Sequence, residues 1–219
     1  MPENTFSISW NELSEIMKRL KPIVSQGDTI PASRGLHFQV RTSGVLLVTT
    51  LDGYRQGSIL TGCVNKPEQD ISFIVEPFDI PKAPKGIPGI VVITVTDKQA
   101  VFRFKHETGT ETKEIRLIEA EPFDIAKAIP KKEPTAQFLV NPYYMIDAIK
   151  ATMLNKKAHD PIVLNFYGPL DPLVITCKDV PNGTVHEAMV LPVWNQGQAE
   201  TSVNIINRVI QTAEVKHLD

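Results

Sequence analysis

Three times along the chain, beginning near Phe6, Phe73 and Phe138, the residue pattern predicts the same order of elements: a strand, a helix or its remnant, then three short strands. A unit of that kind carries one apolar helix stripe and one apolar sheet face, and it cannot bury both by itself. Serial copies therefore constrain the fold more than any single motif, because the copies must pack on one another.

The first copy is the best marked. Ser9 stands at an N-cap position, Glu12 completes a capping box three residues later, and Ile8 with Leu13 form a hydrophobic staple, so a helix is expected from near Trp10. Trp10, Leu13, Ile16, Met17 and Leu20 recur at helical spacing, the polar residues Asn11, Ser14, Glu15, Lys18 and Lys21 take the other side, and Pro22 stops the helix. Apolar runs then predict strands at 36–41, 45–51, 54–64 and 71–75, broken by Thr42-Ser43-Gly44, Asp52-Gly53 and a polar stretch at 65–70. In the middle copy, residues 77–89 hold too much proline for a long helix, and alternation predicts strands at 90–96, 100–105 and 113–118.

Residues 121–134, with three prolines and three lysines and no apolar period, are expected to join two structural units. The third copy follows: a short strand at 138–140, Asn141 as N-cap with Pro142 at the first helical position, and a stripe of Met145, Ile146, Ile149 and Met153. Strands are expected at 161–166, 173–177 and 186–193, with turns at Gly168-Pro169 and Asn182-Gly183. Val203, Ile206, Val209, Ile210 and Ala213 share one face of a final amphipathic helix. The expected organisation is a complete two-unit domain at 1–122, a linker at 123–134, a partial one-unit domain at 135–195 and a C-terminal helix at 196–219.

Composition narrows the function classes. A hydrophobic share of 42% suits a packed soluble core, and 17 prolines with 12 glycines spread along the chain suit many short elements joined by turns. No run approaches the ~20 apolar residues of a membrane span, and Met1-Pro2-Glu3-Asn4 lacks the segments of a secretory signal, so a cytoplasmic protein is expected. A net charge of −2 argues against a protein that coats nucleic acid indiscriminately, since nonspecific affinity comes from cations on phosphates. Cys63 and Cys177 have no metal-type spacing, and neither do His37, His106, His159, His186 and His217, which read as ordinary surface or strand positions. With no phosphate loop or nucleophile elbow either, no metal, cofactor or catalytic residue is expected, and Asp52 reads as a turn acid that bonds its own backbone.

The residues also resemble a known family, the beta subunit of bacterial DNA polymerase III, the sliding clamp. Thr50-Leu51-Asp52-Gly53-Tyr54-Arg55 resembles the family's T-D-G-H-R turn, and Glu121-Pro122-Phe123-Asp124 its F-P-D linker. Residues 138–150, FLVNPYYMIDAIK, look like an inner-helix segment, and residues 189–193, MVLPV, resemble the C-terminal M-P-M motif. Together these cover roughly residues 5 to 195. The resemblance implies an α+β DNA-clamp fold of repeated β-α-β-β-β units, with antiparallel sheets outside and helices on the inner face. It implies a non-enzymatic processivity factor whose partners are double-stranded DNA and a DNA polymerase or other replication protein, held through a short peptide motif.

A clamp must hold DNA weakly enough to slide, which calls for modest positive charge on inward helices. The candidates are Lys18, Arg19, Lys21, Lys150, Lys156 and Lys157, with Lys82, Lys85, Lys127, Lys131 and Lys132 as weaker loop contributors. The family's apolar peptide groove lies between its middle and last domains. Matching positions are Leu51, Gly53, Tyr54, Arg55, Pro122 and Phe123, then Met189, Leu191, Pro192 and Val193. Gln56 replaces a usually apolar residue, and a buried amide without a partner is expected to weaken that groove. Family members hold six units per chain in a ring of twelve. Three units per chain imply four chains per ring, or a third unit that pairs with its own copy. The rival function is a clamp-fold interaction module or decoy of the replication machinery that does not encircle DNA, using the groove or the extra helix.

Overall fold

The computed structural model describes residues 4–25, 27, 30–82, 89–106, 109–124, 132, 135, 137–153, 161–177 and 186–193. The chain divides into two compact units, Met1–Ile125 and Ala126–Asp219.

In the first unit the chain runs β1 (Asn4–Ser9), α1 (Trp10–Leu20), β2 (Leu36–Val40), β3 (Val45–Leu51), β4 (Gln56–Gly62), β5 (Ile71–Val75), β6 (Ile90–Val95), β7 (Gln99–His106) and β8 (Gly109–Arg116). These strands make two four-stranded antiparallel sheets, ordered β1-β6-β7-β8 and β4-β3-β2-β5. The two repeats exchange their first strands: β1 leaves its own copy to pair with β6, Ser7 opposite Val92, and β5 pairs with β2, Ile74 opposite His37. On its other edge each exchanged strand stays tied to its own copy. The Ser7 carbonyl accepts from Val64 N–H at 2.7 Å, and the Ile74 carbonyl accepts from Ile118 N–H at 2.9 Å.

Because strand side chains alternate in direction, one face of each sheet is apolar, and the two faces meet around α1. Phe38 stacks on Phe73 at 5.0 Å and reaches Phe102 of the other sheet at 6.5 Å, while Trp10 of α1 packs on Phe104 at 5.0 Å. The five apolar residues of the α1 stripe are all buried. Gly57 on β4 is what lets the end of this helix approach: a Cβ there would lie 2.7 Å from both Leu20 Cδ2 and Ile23 Cδ1.

Two local expectations fail here. Ser9 precedes α1 but makes no side-chain cap bond. Glu12 instead accepts from Thr61 Oγ1 on β4, so a tertiary partner takes the carboxylate away from the local capping box. The strand expected from residue 54 begins at Gln56, because Tyr54 and Arg55 are held in a turn by Asp52.

The second unit holds α2 (Pro142–Thr152), β9 (Ile162–Asn165), β10 (Leu173–Cys177) and β11 (Glu187–Val190), with β10 central in an antiparallel three-stranded sheet. Asn141 caps α2 as expected, its Oδ1 accepting from Tyr143 N–H at 2.9 Å. The buried apolar cluster is small: Ala148, Leu173, Ile175 and Val190. Residues 138–140 are not a strand. Among the described residues they have no sheet to join, and the Leu139 carbonyl instead accepts from Val193 N–H at 2.6 Å. The expected helix at 196–219 lies outside the described residues.

Candidate functional site

The cations expected to face DNA are exposed but not free. Lys18 Nζ and Arg19 Nε sit 3.5 and 3.0 Å from the two oxygens of Glu15 one turn away, and Lys21 Nζ donates to Asp79 Oδ1 at 2.7 Å. The Arg19 hydrogen bond and the Lys18 charge hold the Glu15 carboxyl below the ordinary glutamate range, and Lys21 does the same for Asp79. On α2, Lys150 Nζ is 3.7 Å from Asp147. Pairs this exposed add little, so a phosphate can displace the carboxylate. Lys156 and Lys157 lie outside the described residues, as do Lys85, Lys127 and Lys131, while Lys82 and Lys132 are exposed.

The positions matched to a peptide groove fall in both units. In the first, the turn after β3 is built around Asp52, whose Oδ1 accepts from the N–H of Tyr54 at 3.0 Å and of Arg55 at 2.8 Å. Its Oδ2 takes Arg55 Nε at 3.0 Å and a second guanidinium nitrogen at 2.6 Å, a forked pair that holds the Asp52 carboxyl below the usual aspartate range. Gly53 supplies the positive φ of 88° that the turn needs. The turn thrusts Tyr54 fully into solvent, at 98% exposure.

Beside that turn, Leu51 and Phe123 line one cleft of about 10 Å³, room for about a single water, together with Gly35, His37, Thr49 and Ile74. Leu51 and Phe123 were expected there from the resemblance; Pro122, next to Phe123, is exposed. The polar wall of the cleft was not expected. His37 is buried, donates to or accepts from Ser72 Oγ at 2.8 Å through Nε2, and has its pKa lowered to about 4 by desolvation. Thr49 is buried as well, and its Oγ1 has no hydrogen-bond partner among the described residues. The signal was in the strand period: Thr49 lies two residues before Leu51 on one face of β3, and the register sets His37 opposite Thr49. Gln56 does not play the part expected of it. It is exposed and its amide donates to Ser58 Oγ at 3.0 Å, so the Gln56 amide is neither buried nor unpaired.

In the second unit, Met189, Leu191 and Val193 are 64, 71 and 50% exposed, an apolar run ending β11 and its continuation, while Pro192 is half-buried. Val190 between them points into the core.

No family model matches the sequence, and no curated protein matches it. Solved structures do. The DNA polymerase sliding clamp from Bacillus subtilis superposes with a TM-score of 0.71 at 16% identity over 90% of this chain and 51% of that one. The sliding clamp from Pseudomonas aeruginosa gives 0.71 at 19% identity over 96% and 58%. The Helicobacter pylori beta clamp, solved with a DNA ligase peptide bound, gives 0.67 at 15% identity over 96% and 57%. The chain thus spans a little over half the length of the clamps it matches. Strand exchange between repeats, two antiparallel sheets around a helix and these superpositions lead to one conclusion: this chain has the fold of the bacterial DNA polymerase III beta subunit, the sliding clamp.

Proposed function

We propose that the protein is a cytoplasmic, non-enzymatic, sliding-clamp-like processivity factor that associates with duplex DNA as a homo-oligomer and docks a short peptide motif of a replication protein. The observation that carries the docking half is the convergence of Leu51 and Phe123 on one cleft beside the solvent-thrust Tyr54. The cleft itself has room for about one water, so the apolar anchors of a peptide rest on the exposed surface beside it, where Tyr54 is the type of large side chain that becomes buried on binding.

Titration of a DNA ligase peptide, of the kind bound by the Helicobacter pylori clamp, tests this reading. Binding by the natural chain and a loss of tenfold or more with Tyr54→Ala support it; equal affinity of the two proteins removes it. The DNA half is topological: loaded protein must stay longer on circular than on linear duplex.

A second reading, a clamp-fold interaction module that does not encircle DNA, is favoured by one observation. The exposed cations Lys18, Arg19, Lys21 and Lys150 already face carboxylates of their own chain, and a displaced carboxylate stays nearby and repels a phosphate. Peptide binding without any retention on circular DNA selects this second reading.

A further inference from the structure

In the first unit two repeats complete each other; among the described residues of the second unit one repeat stands with the same positions open. We infer that a second copy of this chain fills them. Two third repeats associate about a two-fold axis, each laying its 138–140 segment along the free edge of the other's β9. The inference takes its frame from the clamp-fold reading and names the oligomer contact within it.

The first observation is a bond that recurs in all three repeats. The segment preceding the helix, or its remnant, accepts a backbone N–H from a residue two or three positions past the repeat's last strand. This is Val64 to Ser7 at 2.7 Å, Ile118 to Ile74 at 2.9 Å and Val193 to Leu139 at 2.6 Å. Leu139 stands three residues before α2 as Ser7 stands three before α1. Residues 138–140 are therefore seated in their own repeat as β1 and β5 are in theirs. What they lack is the pairing that β1 makes with β6, and β5 with β2, on the opposite edge.

The acceptor is open too. β2 and β6 are each the first of three strands after the connection, and each receives the exchanged strand of the other repeat. β9 holds that place in the third repeat, and among the described residues it pairs with β10 alone.

The surface around this edge is built for burial. Leu139, Val163, Leu164 and Phe166 are 38 to 54% exposed, whereas Phe6 of β1 and Phe38 of β2 are at most 1% exposed. Counted from the first helical residue, α1 has Asn11, Glu12 and Ser14 where α2 has Tyr143, Tyr144 and Ile146, all of them exposed. An unpaired strand edge flanked by apolar side chains is a template for another strand.

Donor and acceptor both belong to the third repeat, so one two-fold operation satisfies both at once, as a self-complementary interface requires. Both exchanges in the first unit are antiparallel, and the same direction is expected here.

Light scattering on the full chain, joined to hydrogen exchange, decides. For a chain of 24.4 kDa, a mass of twice that value or an even multiple is expected at micromolar concentration. Amides of residues 162–165 are expected to exchange slowly there and to lose protection on dilution. Leu164→Lys, a charge on an already part-exposed edge residue, is expected to raise the dissociation constant at least tenfold. If that variant fails to fold, the dilution dependence in the natural chain decides alone. A monomer at all concentrations overturns the proposal, including one whose β9 is protected by its own chain. So does an oligomer whose β9 amides exchange freely. A dimer that is not retained on DNA leaves this interface standing and removes the clamp reading; a monomer that still binds the ligase peptide does the reverse.

Discussion

The two units differ in how a repeat is completed. In Met1–Ile125, a helix and eight strands from two repeats enclose a cluster that runs from Phe6 to Phe104, whereas among the described residues the single repeat of the second unit encloses four buried apolar ones. The local sequence is similar in kind in both. What differs is the exchange of first strands, which adds a fourth strand to each sheet and sets the two apolar faces against each other. The repeat is thus a unit of sequence, while the pair of repeats is the unit of burial.

The largest test of this contrast is Phe38→Ala. Phe38 is fully buried between Phe73 and Phe102, and its truncation is expected to cost about 3–5 kcal/mol in urea unfolding of the first unit. A cost under about 1 kcal/mol breaks the claim that the exchanged sheets share one tightly packed core.

Acid separates the units next. His37 is neutral when folded, with a pKa of about 4 against an ordinary 6.5, so the unfolded chain takes up a proton that the folded chain refuses. The associated stability is fully present above pH 6.5 and is lost as pH falls towards 4, about 3 kcal/mol in all. Unfolding of the first unit followed from pH 7 to 4 is expected to show that slope, and His37→Gln to flatten it. An unchanged slope in the variant assigns the acid sensitivity elsewhere.

Ile175→Ala, at the centre of the small cluster, is expected to cost about 2 kcal/mol, the low end for this change, because a thin repeat relaxes into the space. Hydrogen exchange should then show β9 to β11 opening with the amides of the first unit still protected; one joint transition contradicts the division. The smallest contrast lies at the helix starts. Asn141→Ala removes a formed cap bond and is expected to cost about 1 kcal/mol, whereas Ser9→Ala removes none and should change stability by less than about 0.5 kcal/mol. Equal losses in thermal unfolding return Ser9 to a capping role.

Much of this was readable in the chain. The α1 stripe, the alternating runs of β2, β3 and β5, and Asn141-Pro142 as a helix start follow from spacing and residue type, because periods of 3.6 and 2 and cap chemistry are local. That Leu51 and Phe123 share a cleft with His37 and Thr49 was not legible, since only the register of β2 on β3 sets the latter two side by side.

The amino-acid sequence by itself determined the three repeats, the positions of their helices and turns, and which side of each strand is apolar. Tertiary structure alone decided that first strands cross between repeats, that Glu12 serves Thr61 rather than Ser9, and that residues 138–140 form no strand. The physical reason is that a strand's hydrogen bonds lie outside the strand. Alternation states that an edge must be paired, and only the neighbours present in space determine by what.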